Sequence, residues 1–112
     1  MKDMANHTST FQDPISIAYK GISVWEMPPN GQGLSALIAL NILKNMDLET
    51  CDRLSCVSMH RLIEAVHLGF ADGFKHICDA TDPEILNKLL SNEYGKERAS
   101  LIQENRYICI FH

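Results

Sequence analysis

Residues 25–43 read WEMPPNGQGLSALIALNIL, and this stretch sets the fold class. Trp25 and Glu26 end an extended run. Pro28 pushes Met27 out of the helical region, so no helix passes through it. Pro29-Asn30-Gly31 is turn chemistry, because Pro fixes φ and Asn-Gly tolerates positive φ. Gly33 then opens a run in which Leu34, Leu37, Ile38, Leu40, Ile42 and Leu43 are all apolar, with no charge before Lys44. Apolar residues nearly all round mark a helix buried inside a larger body. At roughly ten residues the run is too short to cross a bilayer. The spacing predicts a helix from about Leu34 to Asn45.

Upstream, Ile15, Ile17 and Tyr19 alternate with Ser16, Ala18 and Lys20, the pattern of a half-buried strand. Ile22 to Met27 is rich in strand formers. The two runs meet at Lys20-Gly21, which predicts an antiparallel hairpin. Two strands alone are marginal in water, so the hairpin needs a larger sheet to join. Residues 1–13 read as a polar, irregular lead-in, and Met46 to Leu54 as turns. A second helix is expected from Ser55 or Ser58 to Asp72, stopped by Gly73, with Met59, Ile63, Val66 and Phe70 as its core stripe. Phe74 to Ile77 reads as a further short turn. Asp82-Pro83 caps a helix to Leu90. Ser91 caps another from about Asn92 to Glu104, with Glu93 in its first turn. No internal repeat and no linker divides the chain. The expected class is α+β, as one domain over residues 1–112.

The composition is that of a globular chain, 46% hydrophobic and 21% charged. A formal net charge of −4 leaves no basic footprint for nucleic acid or an anionic membrane. MKDMANHTSTFQD contains no apolar signal core, and no segment is long enough to span a membrane. The cytoplasm is therefore the default compartment. Cys51, Cys56, Cys78 and Cys109 match no zinc spacing, so reduced, buried and inert thiols are expected.

Chemistry has few places to sit. Asn30, Gly31, Gln32 and Gly33 lead into a helix start, whose free N–H groups suit a carboxylate or phosphate. The plainer reading is a turn in which Gly31 and Gly33 let helix and sheet approach. His60, Glu64 and His67 fall at i, i+4 and i+7 on one helical line, a geometry open to a divalent metal. Such a line is more often the polar flank of an amphipathic helix, so no metal or other cofactor is assigned. His76 and Asp79 are three apart and could pair. Trp25 and Phe70 read as core aromatics.

Several blocks in order resemble the γ-glutamyltransferase (glutathione hydrolase) family, and most of all its bacterial-type, acylase-like branch. They are His7-Thr8-Ser9-Thr10-Phe11, Asp13-Pro14-Ile15-Ser16, Tyr19-Lys20-Gly21 and WEMPPNGQG with LSALIALNIL. Leu62-Ile63-Glu64-Ala65, Phe70-Ala71-Asp72, Leu89-Leu90-Ser91 and Arg98-Ala99-Ser100-Leu101-Ile102 continue the series. The resemblance runs from about His7 to about Ile102. It implies an N-terminal-nucleophile hydrolase and part of its αββα sandwich: one hairpin and several helices from the late large subunit. The tail from Arg106 to His112 reads as a strand-prone, non-family run. In that family the nucleophile is a threonine opening a Thr-Thr pair, freed by self-cleavage, with its own amine as base. Thr8, Thr10, Thr50 and Thr81 form no such pair. The substrate-binding arginine and the oxyanion glycines lie in parts of the family this chain does not match, so no catalytic residue carries over. The resemblance thus implies a fragment of an enzyme that moves the γ-glutamyl group of glutathione-like donors to water or amines, inactive by itself. Its partner would be the missing remainder of the fold or a complementing chain, with the glutathione-like substrate bound only by the complete enzyme. The alternative is a non-catalytic interaction module or regulatory pseudoenzyme.

Overall fold

The computed structural model describes residues 2–78 and 81–107. In chain order they form α1 (Lys2–Ala5), β1 (Ile15–Tyr19), β2 (Ile22–Glu26), α2 (Gly33–Lys44), α3 (Cys56–His76), α4 (Pro83–Leu89) and α5 (Asn92–Ala99). The architecture is α+β, a two-stranded antiparallel hairpin with helices packed around α2. The polar lead-in is irregular except for the single turn of α1.

The hairpin pairs Ile15 with Glu26, Ile17 with Val24 and Tyr19 with Ile22. Its two-residue turn takes positive φ at both positions, 49° at Lys20 and 81° at Gly21. That handedness matches the strand twist, which is why such turns close tight hairpins. Ile15, Ile17 and Tyr19 share the face toward the core. The alternation then turns Ser16, Ala18, Ser23 and Trp25 to the opposite face. Trp25 is consequently 61% exposed and is not the core aromatic expected from its size.

α2 fulfils the reading of its sequence. Leu34, Leu37, Ile38 and Ile42 are fully buried, walled by the hairpin, α3 and α5. Asn41 interrupts the apolar run and is also fully buried. Its Nδ2 donates to the carbonyls of Leu89 (3.3 Å) and Ser91 (2.7 Å), stapling α2 to the α4–α5 junction. The Asn45 side chain donates in turn to the Asn41 carbonyl at 2.8 Å.

α3 departs from expectation in two ways. Ser55 caps it by accepting from the Ser58 N–H, but the helix runs through Gly73 to His76. Gly73 is a contact position and not a stop, since a Cβ there would lie 2.1 Å from Ser35 Oγ. A Cβ on Gly69 would lie 2.6 Å from the Ser35 carbonyl oxygen. The two glycines lay α2 almost on the α3 backbone, which offsets a helix-propensity cost of about 1 kcal/mol each. The buried face is therefore Ser58, Glu64, Ala65, Leu68, Gly69, Asp72 and Gly73. Met59, Ile63, Val66 and Phe70 lie one residue, or about 100°, round the helix. They face outward, 38% exposed at Val66 and 56% at Ile63. The expected core stripe, Phe70 included, is thus an outer stripe.

Asp82 and Ser91 cap α4 and α5 through the N–H groups of Glu84 and Tyr94. α5 ends at Ala99 and not at Glu104. The chain turns there, bringing Ile102 against the core and Gln103 and Glu104 to α3, where they meet His60 and Arg61. The thiols are not buried as expected: Cys51 is half-buried, and Cys56 and Cys78 are exposed, all three free. Each sits in a loop or at a helix end, away from the packed faces. Cys109, Asp79 and most of the expected tail strand lie outside the described residues.

Candidate functional site

The turn at residues 28–33 sits between β2 and α2. Asn30, Gly31 and Gln32 are exposed, and Gly33 is half-buried. The Gln32 side chain makes no cap, and its carbonyl accepts from the Ser35 N–H at 3.1 Å. Neither Asn30 nor Gly31 takes positive φ, contrary to the turn type expected there. Gly31 has open space where a Cβ would be, so close approach does not require glycine at that position. Gly33 does require it: a Cβ would lie 2.7 Å from Glu26 Oε2. The carboxylate at the end of β2 thus lies against the opening of α2, where the dipole favours negative charge and the helix carries no acid in its own first turn. A cleft of about 120 Å³ adjoins it, lined by Gln32, Gly73, Phe74 and Ile77.

His60, Glu64 and His67 do not act as one set. His60 Nε2 donates to the Gln103 carbonyl at 2.9 Å. His67 Nδ1 hydrogen-bonds the Tyr107 hydroxyl at 3.2 Å, with the rings stacked 5.4 Å apart. Glu64 is 1% exposed, so it is buried and not on a polar flank. Among the described residues no three His, Cys, Asp or Glu side chains gather to hold a metal ion.

A larger cleft, about 370 Å³, opens between the end of α2, α3 and α5, with Arg61, Lys96, Asp47 and Glu104 on its walls. Arg61 donates to the Asp47 carbonyl and to Glu104, and its Nη1 lies 3.6 Å from Cys51 Sγ. Hydrogen bonds from the Thr50 hydroxyl and N–H hold the Asp47 carboxyl below its ordinary range. These groups satisfy one another across the cleft and tie its loop to α3.

The most tightly built polar cluster went unread in the sequence. Asp72 on α3 is 2% exposed and receives both Nε and Nη2 of Arg98 on α5. Arg98 Nε also donates to the Tyr94 hydroxyl at 3.0 Å, and its guanidinium lies 5.2 Å from the Tyr94 ring centre. Burial, and then the hydrogen bond and charge of Asp72, push the Tyr94 phenol up to about 12. Burial works against the Arg98 charge, but Asp72 outweighs it and holds the group above its ordinary value. The only sequence signal was indirect: Asp72 and Arg98 each fall in a family-like block, 26 positions apart. The cluster is a clamp between two helices, and its Tyr94 and Arg98 also line a cleft of about 310 Å³.

The chain is similar to proteins much longer than itself. Bacillus subtilis (strain 168) has a glutathione hydrolase-like YwrD proenzyme that is 35% identical over 109 residues, 96% of this chain but 20% of the relative. The glutathione hydrolase proenzyme of the same organism is 35% identical over 106 residues, 18% of its length. Among solved structures, cephalosporin acylase from Bacillus halodurans superposes with a TM-score of 0.78 at 40% identity, covering 91% of this chain and 19% of that one. Helicobacter pylori γ-glutamyltranspeptidase shares the fold, with a TM-score of 0.85 at 23% identity, over 96% of this chain and 31% of that one. The chain thus spans about a fifth of the length of the relatives it matches. Among the described residues no helix is long and apolar enough to cross a membrane. A sequence profile of the gamma-glutamyltranspeptidase family matches residues 1–109, and the chain belongs to that family.

Proposed function

We propose that the chain is a scaffold segment, one partial domain, of an enzyme that transfers γ-glutamyl groups from glutathione-like donors to water or amines. Its hairpin and the α2–α3 pair would form part of one sheet-and-helix half of an αββα sandwich. The acyl-enzyme would form on an N-terminal threonine supplied by polypeptide beyond this segment. The observation that carries the reading is the ordered match over nearly the whole chain to proenzymes of which it is a fifth. The threonines agree with it. Thr50 donates to Asp47 and Thr81 to the His76 carbonyl, while Thr8 and Thr10 lie exposed in the lead-in. None has the free α-amine that this chemistry uses as base.

The test is a pair of assays with a γ-glutamyl anilide. The 112-residue chain alone is expected to release no aniline. A chimera in which residues 1–109 replace the matching segment of the Bacillus subtilis glutathione hydrolase is expected to self-process and to release it. Turnover by the chain alone, or a folded chimera without turnover, would overturn the proposal.

A further inference from the structure

We propose that the cleft where the ends of α3 and α4 meet α5 binds a small oxyanion, a carboxylate or phosphate group, an inference that does not depend on the γ-glutamyl reading above. The cleft holds about 310 Å³, at the small end of the range for ligand pockets. Three cations reach it from three helices: Lys75 in the last turn of α3, Lys88 in the last turn of α4 and Arg98 on α5. Glu97 is the one carboxylate on its walls among the described residues. A helix C-terminus favours a lysine by itself. It gives no reason for two such lysines and an arginine to converge, since like charges crowded in one cleft repel.

The donors are available to a ligand. Arg98 Nε serves Asp72 and Tyr94, and its Nη2 serves Asp72, which leaves Nη1 uncommitted among the described residues. The Arg98 side chain is 28% exposed, so that edge is reachable from the cleft. Asp72 fixes the guanidinium from behind, and a donor already held in place costs less to order on binding. Lys75 and Lys88 are exposed and form no ion pair among the described residues. Asp72 balances the charge of Arg98, so the two lysines outweigh the single Glu97. In a chain of formal net charge −4, this local reversal of sign attracts a negative group. Ile85 and Leu89 give the cleft an apolar wall, where charge-assisted hydrogen bonds are stronger than in open water. The space suits inorganic phosphate, a phosphate monoester or a short dicarboxylate, whose oxygens accept from Nη1 and the two ammonium groups together.

The experiment titrates inorganic phosphate, and separately succinate, into the 112-residue chain and into the chimera described above, read by calorimetry at low ionic strength. At least one of the two is expected to bind with a Kd of about 1 mM; phosphate alone identifies a phosphate site and succinate alone a carboxylate site. Lys75→Gln combined with Lys88→Gln should weaken binding at least about tenfold while leaving the ligand-free melting temperature unchanged, since both side chains are exposed and unpaired. Glu97→Gln should tighten binding about threefold by removing the opposing charge. Lys44→Gln combined with Lys96→Gln removes the same charge from exposed positions elsewhere and should change nothing. If that control pair weakens binding as much as the cleft pair, the attraction belongs to net charge and the proposal is overturned. No binding of either anion up to about 50 mM overturns it too. So does binding by the short chain that vanishes in the folded chimera, because the cleft would then be covered in the assembled fold. Where the short chain does not stay folded, the chimera decides. The assay needs no turnover, so a chimera that binds the anion yet releases no aniline overturns the functional reading alone.

Discussion

Gly73 has no side chain because Ser35 occupies its place. The helix pair is closed at main-chain distance there, and the position tolerates no atom beyond hydrogen without a shift of the Ser35 hydroxyl. Gly73→Ala is expected to destabilise the fold by about 1–3 kcal/mol, the usual range for overpacking a tight core. Adding Ser35→Ala removes the clashing Oγ and should return part of that loss. A double-mutant cycle in urea reads the coupling directly, and independent effects would disprove the contact. A glycine at such a position carries two meanings. Glycine near a helix end is a stop signal, and glycine against a neighbouring backbone is a packing device. Local sequence does not distinguish them, because the deciding atom lies 38 residues upstream in α2. Asn41 escaped for the same reason: its partners, the Leu89 and Ser91 carbonyls, belong to a junction that exists only after folding.

Between elements, the decisive tie is the Asp72–Arg98–Tyr94 clamp that holds α5 to α3. Removing the half-buried Arg98 leaves the buried Asp72 charge desolvated and without its partner, which is worse than never having the pair. Arg98→Met should therefore cost about 3 kcal/mol, as it strands Asp72. Equal urea midpoints for variant and parent would refute this. Tyr94 gives the clamp an alkaline limit. Its phenol is raised from 10.0 to about 12, so the folded state favours the neutral form. That contribution is complete below pH 10 and is lost as pH rises through 12. A phenolate absorbance titration should show a late step that Tyr94→Phe deletes. Element starts were legible wherever a side chain caps its own helix, as at Ser55, Asp82 and Ser91, because the bond spans only two or three residues. The end of α5 was not, since the chain leaves the helix for contacts with Ile102 in the core and Glu104 on Arg61.

At the scale of the molecule, the hairpin, the buried α2 and the family were all legible, because alternation, all-round apolarity and ordered sequence blocks are properties of the chain itself. Which side of each element is covered was not. Trp25 and the α3 stripe have the composition of a core and the position of a surface. The radius of gyration is 16.3 Å, where about 13 Å is usual for a domain of this length. One thermodynamic consequence follows from that open shape. The heat capacity of unfolding arises from apolar area that water newly reaches, about 12–15 cal/mol/K per residue for an ordinary domain. A chain already hydrated along α3 and the outer hairpin face has less left to expose. Scanning calorimetry of the isolated chain should return a value below that range, and its stability curve should be correspondingly flat across temperature.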